Sequence, residues 1–211
     1  DSLTLKGGNL FTQDLYLLEK SKFVNVRYRY NARNSISQYT YGIEKRNSIE
    51  RSLRFRFYFM NEITNETVLL SSNDNSISLG SMDRNYNLSN REISTTFFYR
   101  PITELEISFN LLSGRREDFR QSVSAGINSQ TLGFNYSLME KGSFVINFER
   151  NEMLIKPEPE FIPYNLTDGK NTGISWLINS NFSYNFNSFT TCSFSYLGRK
   201  SQKNFLHNMN L

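Results

Sequence analysis

A chain of 211 residues with one cysteine, one histidine and one tryptophan leaves little room for side-chain chemistry. The lone Cys192 excludes an intrachain disulfide and any cysteine-based zinc cluster. The lone His207 excludes every site that needs two imidazoles, and no local Ser, His and Asp arrangement marks a nucleophilic triad. Glycine-rich phosphate loops are missing. Asn73-Asp74-Asn75 is not followed by the glycine and glutamate of an EF-hand loop. No run of about eighteen apolar residues exists to make a membrane helix, in keeping with a hydrophobic fraction of 38% and a mean hydropathy of −0.52. The net charge of +4 is scattered rather than gathered into a basic stripe, and no nucleic-acid module is legible. We therefore expect no catalytic residue, no metal, no cofactor and no nucleic-acid partner. His207 would be the residue to test if a hydrolase were embedded here. No charged and apolar leader follows Asp1, so the expectation is that a signal peptide has been removed or that the sequence is a piece of something longer.

What the chain does have is aromatics, 18 Phe and 12 Tyr, placed with a period of two. Such residues favour strands, and alternation is the mark of a pleat whose side chains point to opposite faces. Ile93, Thr95, Phe97 and Tyr99 alternate with polar neighbours. After Arg100-Pro101-Ile102-Thr103, Leu105, Ile107, Phe109 and Leu111 do the same, which predicts a β-hairpin with one apolar face. Similar runs occur at Val24–Tyr30, Tyr39–Ile43, Leu53–Phe59, Phe144–Phe148, Ile174–Tyr184 and Thr190–Tyr196, with a weaker strand at Glu66–Ser71 and a half-strand from Phe205 to Leu211. Residues 1–22 form a poorly defined lead-in, in which Leu10–Leu18 reads equally as strand or short helix. Residues 23–211 form one β-domain. Val123, Ala125 and Ile127 lie on the opposite parity from Leu132, Phe134 and Tyr136, which predicts a bulge near Asn128. The total is ten to twelve strands.

Three features set the apolar face against lipid rather than against a second sheet. From Ile93 onward the connections alternate short and long: 100–103, 112–122, 139–142, 150–173, 187–188 and 198–204. A membrane barrel with short turns on one side and long loops on the other alternates in this way. Tyr30, Phe59, Tyr99, Tyr136 and Tyr184, together with Tyr196, are candidates for an aromatic girdle where hydrocarbon meets headgroup. The polar face is rich in Asn, Ser, Thr and Arg, short groups that suit a narrow interior.

From about Val24 to Leu211 the chain resembles, in pattern rather than in an exact motif, the C-terminal barrel segments of Gram-negative outer-membrane β-barrel proteins. The stretch Trp176–Leu211, with Tyr184 and Tyr196, is similar to a closing hairpin and last strand. Such families finish on an aromatic where this chain has Leu211, so the expectation is a truncated final strand. The resemblance implies an all-β, antiparallel up-and-down transmembrane barrel, complete or part of a larger one, in the bacterial outer membrane. It would act as an anchor, a pore or a component of a translocation complex, with lipid, lipopolysaccharide and other envelope proteins as partners. Arg27, Arg29, Arg54 and Arg56 would then face the lumen from two nearby strands, with Glu104, Glu106 and Glu149 facing it elsewhere. They either line an anion-passing pore or fill the lumen as Arg–Glu pairs. Arg115, Arg116, Arg199, Lys200 and Lys203, on loops of the long-loop side, are candidates for lipopolysaccharide phosphates. The alternative is a soluble secreted antiparallel β-protein, such as a surface-binding or adhesin module. The two separate on a gel: the barrel requires detergent and should migrate differently before and after boiling, whereas the soluble protein should do neither.

Overall fold

Every backbone N–H and C=O in a strand must find a partner on a neighbouring strand, and alternating residues leave both faces free for other work. A computed structural model of the chain, which describes residues 6–39, 42–80, 85–138, 141–157, 164–167, 172–187, 189–201 and 205–210, meets that demand with a single sheet. Its strands are β1 (Lys6–Leu17), β2 (Val24–Tyr39), β3 (Gly42–Tyr58), β4 (Ile63–Ser78), β5 (Tyr86–Ile102), β6 (Leu105–Asp118), β7 (Val123–Leu138), β8 (Gly142–Lys156), β9 (Gly173–Asn187), β10 (Thr190–Lys200) and β11 (Phe205–Asn210). One short helix, α1 (Tyr164–Thr167), precedes β9. The strands pair in sequence order, each antiparallel to the next, with β1 and β11 as the two edges.

The strand count agrees with expectation, but two changes compensate. Leu10–Leu17 belongs to β1, which pairs with β2 along its whole length, so the lead-in is part of the sheet. Tyr39–Ile43 is not a separate strand: Tyr39 ends β2 and Gly42 opens β3, with Thr40 and Tyr41 outside the described residues. Gly42 has φ +138°, and a Cβ there would lie 2.9 Å from the Gly80 nitrogen at the end of the neighbouring hairpin, so this turn demands glycine.

Of the expected long loops, 72–90 and 112–122 are mostly strand, and strand also enters 150–173 and 198–204. β4 continues to Ser78 and β5 begins at Tyr86, inside the segment 72–90; β6 runs through Arg115 and Arg116 to Asp118; β10 runs to Lys200. These extensions of β4, β5, β6 and β10 are largely polar, with Ile77, Leu88 and Leu112 as isolated apolar positions. A strand wetted on both sides has no period-two hydrophobic signal, yet its ladder is as good as any other. β1, β3, β5, β7 and β9 finish at one end of the sheet, where most intervals between strands are short, and β2, β4, β6, β8 and β10 finish at the other. We call these the short and long ends.

Register carries each face across the sheet unbroken. One row reads Val24, Phe57, Asn65, Phe97, Phe109, Leu132, Phe148 and Ile178 from β2 to β9; the adjacent row on the other face reads Asn25, Arg56, Glu66, Thr96, Asn110, Thr131, Glu149 and Leu177. The polar face is the more enclosed. The Glu66 and Glu92 side chains are 17% and 12% exposed, against 44% for Phe97 and 47% for Leu132 on the apolar face. Gly133 fits this crowding, since a Cβ there would run into the Ser108 hydroxyl.

The bulge expected near Asn128 is absent: β7 keeps one register with β6 and with β8 throughout. The parity change instead marks a change of surroundings. Val123, Ala125 and Ile127 project from the polar face near its long end, where they are buried with Met153, Ile155 and Leu166 of α1 and flanked by Leu88 and Leu112. This apolar patch seats α1 against β6 and β7. Fully burying one leucine contributes roughly 1.5–3 kcal/mol, and Leu166 is 0% exposed. Leu166→Ala should therefore lower unfolding stability by about 2–3 kcal/mol, measured by denaturant titration in detergent.

Candidate functional site

Charge on the polar face is segregated by strand. Arg27, Arg29 and Arg33 on β2 and Arg46, Arg54 and Arg56 on β3 share it with Glu44 and Glu50. From β4 to β8 the balance reverses, with Glu66, Asp74, Glu92, Glu106, Asp118 and Glu149 against Arg100 and Arg116.

The four expected arginines meet near the short end. Arg27 and Arg54 are cross-strand partners, as are Asn25 and Arg56. Like charges placed opposite each other repel, and two carboxylates from the flanking strands offset this. Asp14 on β1 accepts from Arg29 Nε at 2.9 Å and from Arg27 at 3.2–3.3 Å. Glu66 on β4 accepts from Arg56 Nε at 2.9 Å and lies 3.5 Å from Arg54 Nε. Tyr16 lies under Arg27, whose guanidinium carbon is 4.8 Å from the ring centroid. Tyr16, Asn25, Arg27, Arg54 and Arg56 line a cavity at this level. Two carboxylates pair directly with four guanidiniums, while Glu19 also lines the cavity and Glu50 acts on Arg29 from the same face.

Farther along, Arg46 pairs with Asp74, which also accepts from the Tyr86 hydroxyl at 3.4 Å. Arg116 donates to Glu92 at 3.0 and 3.2 Å. Glu106 pairs with Arg100, Glu149 accepts from Asn151 at 2.6 Å, and Glu104 lies in the turn between β5 and β6. Sequence reading located the arginines but missed Asp14, Glu66, Asp74 and Glu92 as their partners. Alternation places a residue on a face, while the pairing partner depends on register across a connection, which alternation does not encode.

The girdle candidates divide. Phe59, Tyr99, Tyr136 and Tyr184 lie toward the short end. Phe59 itself is past β3, stacked on Phe57 with ring centroids 6.4 Å apart. Tyr30 and Tyr196 lie midway along β2 and β10, because those strands run away from the short end. Tyr30 packs edge-on against Phe11, and the Tyr196 hydroxyl is hydrogen-bonded to His207 Nδ1 at 2.9 Å.

Four of the five candidate lipopolysaccharide residues are in strands, not on loops. Arg115 and Arg116 are in β6 and point to opposite faces, Arg115 outward with Glu117 at 2.7 Å and Arg116 inward. Arg199 and Lys200 split in the same way on β10, and Lys203 lies outside the described residues. Cys192 is exposed on the apolar face. Among the described residues no group of three or more His, Cys, Asp or Glu side chains is placed to hold a metal ion.

The sequence matches no family model and no curated protein. Among solved structures, the translocator domain of autotransporter NalP from Neisseria meningitidis aligns with 99% of this chain and 79% of that one, at 9% identity and a TM-score of 0.34. Glu66→Gln, which leaves Arg54 and Arg56 without their shared carboxylate, should cost about 1 kcal/mol of stability at low salt and less at high salt, checked by denaturant titration at both ionic strengths.

Proposed function

We propose that the chain is a transmembrane β-barrel, or the greater part of one, in the bacterial outer membrane, with an anchoring, pore or translocation role and no catalysis. One observation carries this: the face crowded with Phe, Tyr, Leu and Ile is broadly exposed, while carboxylates of the opposite face are enclosed, Glu66 and Glu92 at 17% and 12%. In water that arrangement costs about 25 cal/mol for each Å² of apolar surface left wet. In a bilayer the cost vanishes, since acyl chains are as apolar as the side chains they touch. The ladder is in keeping with this, since neighbouring strands pair their backbone groups in order from β1 to β11, and closure of the two edge strands would complete the pairing that a hydrocarbon layer demands.

Within that frame the segregated lining favours a passage. The cluster at Arg27, Arg29, Arg54 and Arg56 gathers four guanidiniums against two directly paired carboxylates, and charged rings set the selectivity of pores. Lipid of the outer membrane is the partner that this account requires.

Reconstitution into a planar bilayer tests both levels. Discrete conductance with a preference for anions is the expected result, and Arg27→Gln with Arg54→Gln should bring the anion-to-cation permeability ratio toward one. Insertion without conductance would leave the barrel as an anchor with a filled lumen. Failure to insert, with a protein that stays soluble without detergent, would favour the secreted β-protein instead.

A further inference from the structure

The arginines of the apolar face differ from those of the polar face in their partners. Arg115 has Glu117, and Arg150 has Glu152 at 3.1 Å together with the Trp176 ring. Arg51 on β3 and Arg91 on β5 have no carboxylate partner among the described residues; Arg51 has only the Tyr30 ring, 5.8 Å from its guanidinium carbon. Register puts these two in one row with Ser71 of β4 between them. Their strands are two apart, which separates the Cα atoms by about 10 Å.

Beneath this row the surface is apolar and grooved. Leu53, Leu69 and Ile93 form the adjacent row toward the short end, and with Arg51, Ser71 and Arg91 they line a shallow groove on the outer face. On β3 the outward residues beyond Leu53 are Phe55 and Phe57, and on β5 Phe97 and Tyr99 lie farther on, so the groove opens into the apolar belt. Two unneutralised guanidiniums therefore stand where the apolar belt gives way to polar strand, on the side of the long end.

We propose that this groove binds a phosphorylated glycolipid, the lipid A part of lipopolysaccharide. One phosphate is held by Arg51 and a second by Arg91, the Ser71 hydroxyl donates between them, and acyl chains lie over Leu53, Leu69 and Ile93. A guanidinium gives a phosphate two parallel N–H donors, which an ammonium does not. Two cationic sites about 10 Å apart suit a head group with two phosphates better than one with a single phosphate. The site requires the outward face to be lipid-facing, as argued under Proposed function.

The test uses the full chain in a mild detergent, titrated with purified lipid A and read by native mass spectrometry. The wild type should retain lipid A, and the double variant Arg51→Gln, Arg91→Gln should bind it at least about tenfold more weakly, the loss expected for charge-assisted hydrogen bonds. Arg51→Lys with Arg91→Lys should fall between them, and Arg150→Gln should bind like wild type. Dephosphorylated lipid A should bind the wild type as weakly as lipid A binds the double variant. Equal affinity of wild type and double variant for lipid A would overturn the site. Equal affinity of the wild type for phosphatidylglycerol would overturn the choice of ligand. Gel migration before and after boiling shows whether the variants fold.

A separate readout distinguishes failure of the site from failure of the membrane assignment. Trp176 is the chain's one tryptophan and faces outward, 49% exposed. In vesicles containing brominated phospholipid its fluorescence should be quenched. Quenching with unchanged lipid A binding would end the site alone, and no quenching would end both.

Discussion

The ladder of backbone hydrogen bonds between consecutive strands is the constraint on which the remaining structure depends. It runs from β1 to β11 without a crossover, and between those two edges it satisfies the main chain of the strands without help from side chains. Either face is thereby free to meet any solvent. The sheet uses that freedom to enclose carboxylates such as Glu66 and Glu92 on one face and to show its rings on the other. Polar side chains on the outer face follow the same economy. Asn65, between Phe57 and Phe97 in the apolar row, donates to the Thr96 carbonyl at 3.4 Å and accepts from Thr67, which is hydrogen-bonded in turn to Thr95. No part of that group depends on water.

On the enclosed face, electrostatics replaces packing as the organising interaction. Carboxylates from β1 and β4 bracket the arginines of β2 and β3, so each pair ties together strands that the backbone ladder already joins. Pairs of this exposure contribute little stability one by one. Their effect is geometric: they hold guanidiniums side by side that would otherwise spread apart. The one apolar cluster on this face seats α1 near the long end, where the lining changes from charged to aliphatic.

Much of this was legible in the sequence wherever one face was apolar and the other polar. The hairpin at Ile93–Leu111 and the strands ending at Tyr99, Tyr136 and Tyr184 follow from alternation alone. Where apolar residues are too sparse to alternate, as at 72–78, 86–90 and 112–118 with only Ile77, Leu88 and Leu112 among polar neighbours, the signal vanishes and strand reads as loop. At Val123–Ile127 the parity changes because the surroundings change, and a one-dimensional pattern cannot tell that from a slip in register. The pairing of Arg54 and Arg56 with Glu66 was out of reach for a related reason. Partners across a turn depend on where the turn falls, and the polar turn residues gave no unique position.

The two edge strands have a geometric consequence. In a meander each strand reverses the last, so β1 and β11, the first and last of eleven, point the same way. Joining them directly would create a single parallel seam in an otherwise antiparallel cylinder. Keeping every neighbour antiparallel requires an odd number of additional strands in the gap. The odd count therefore makes the handling of this one seam the step that decides the cylinder's circumference and the width of anything it encloses.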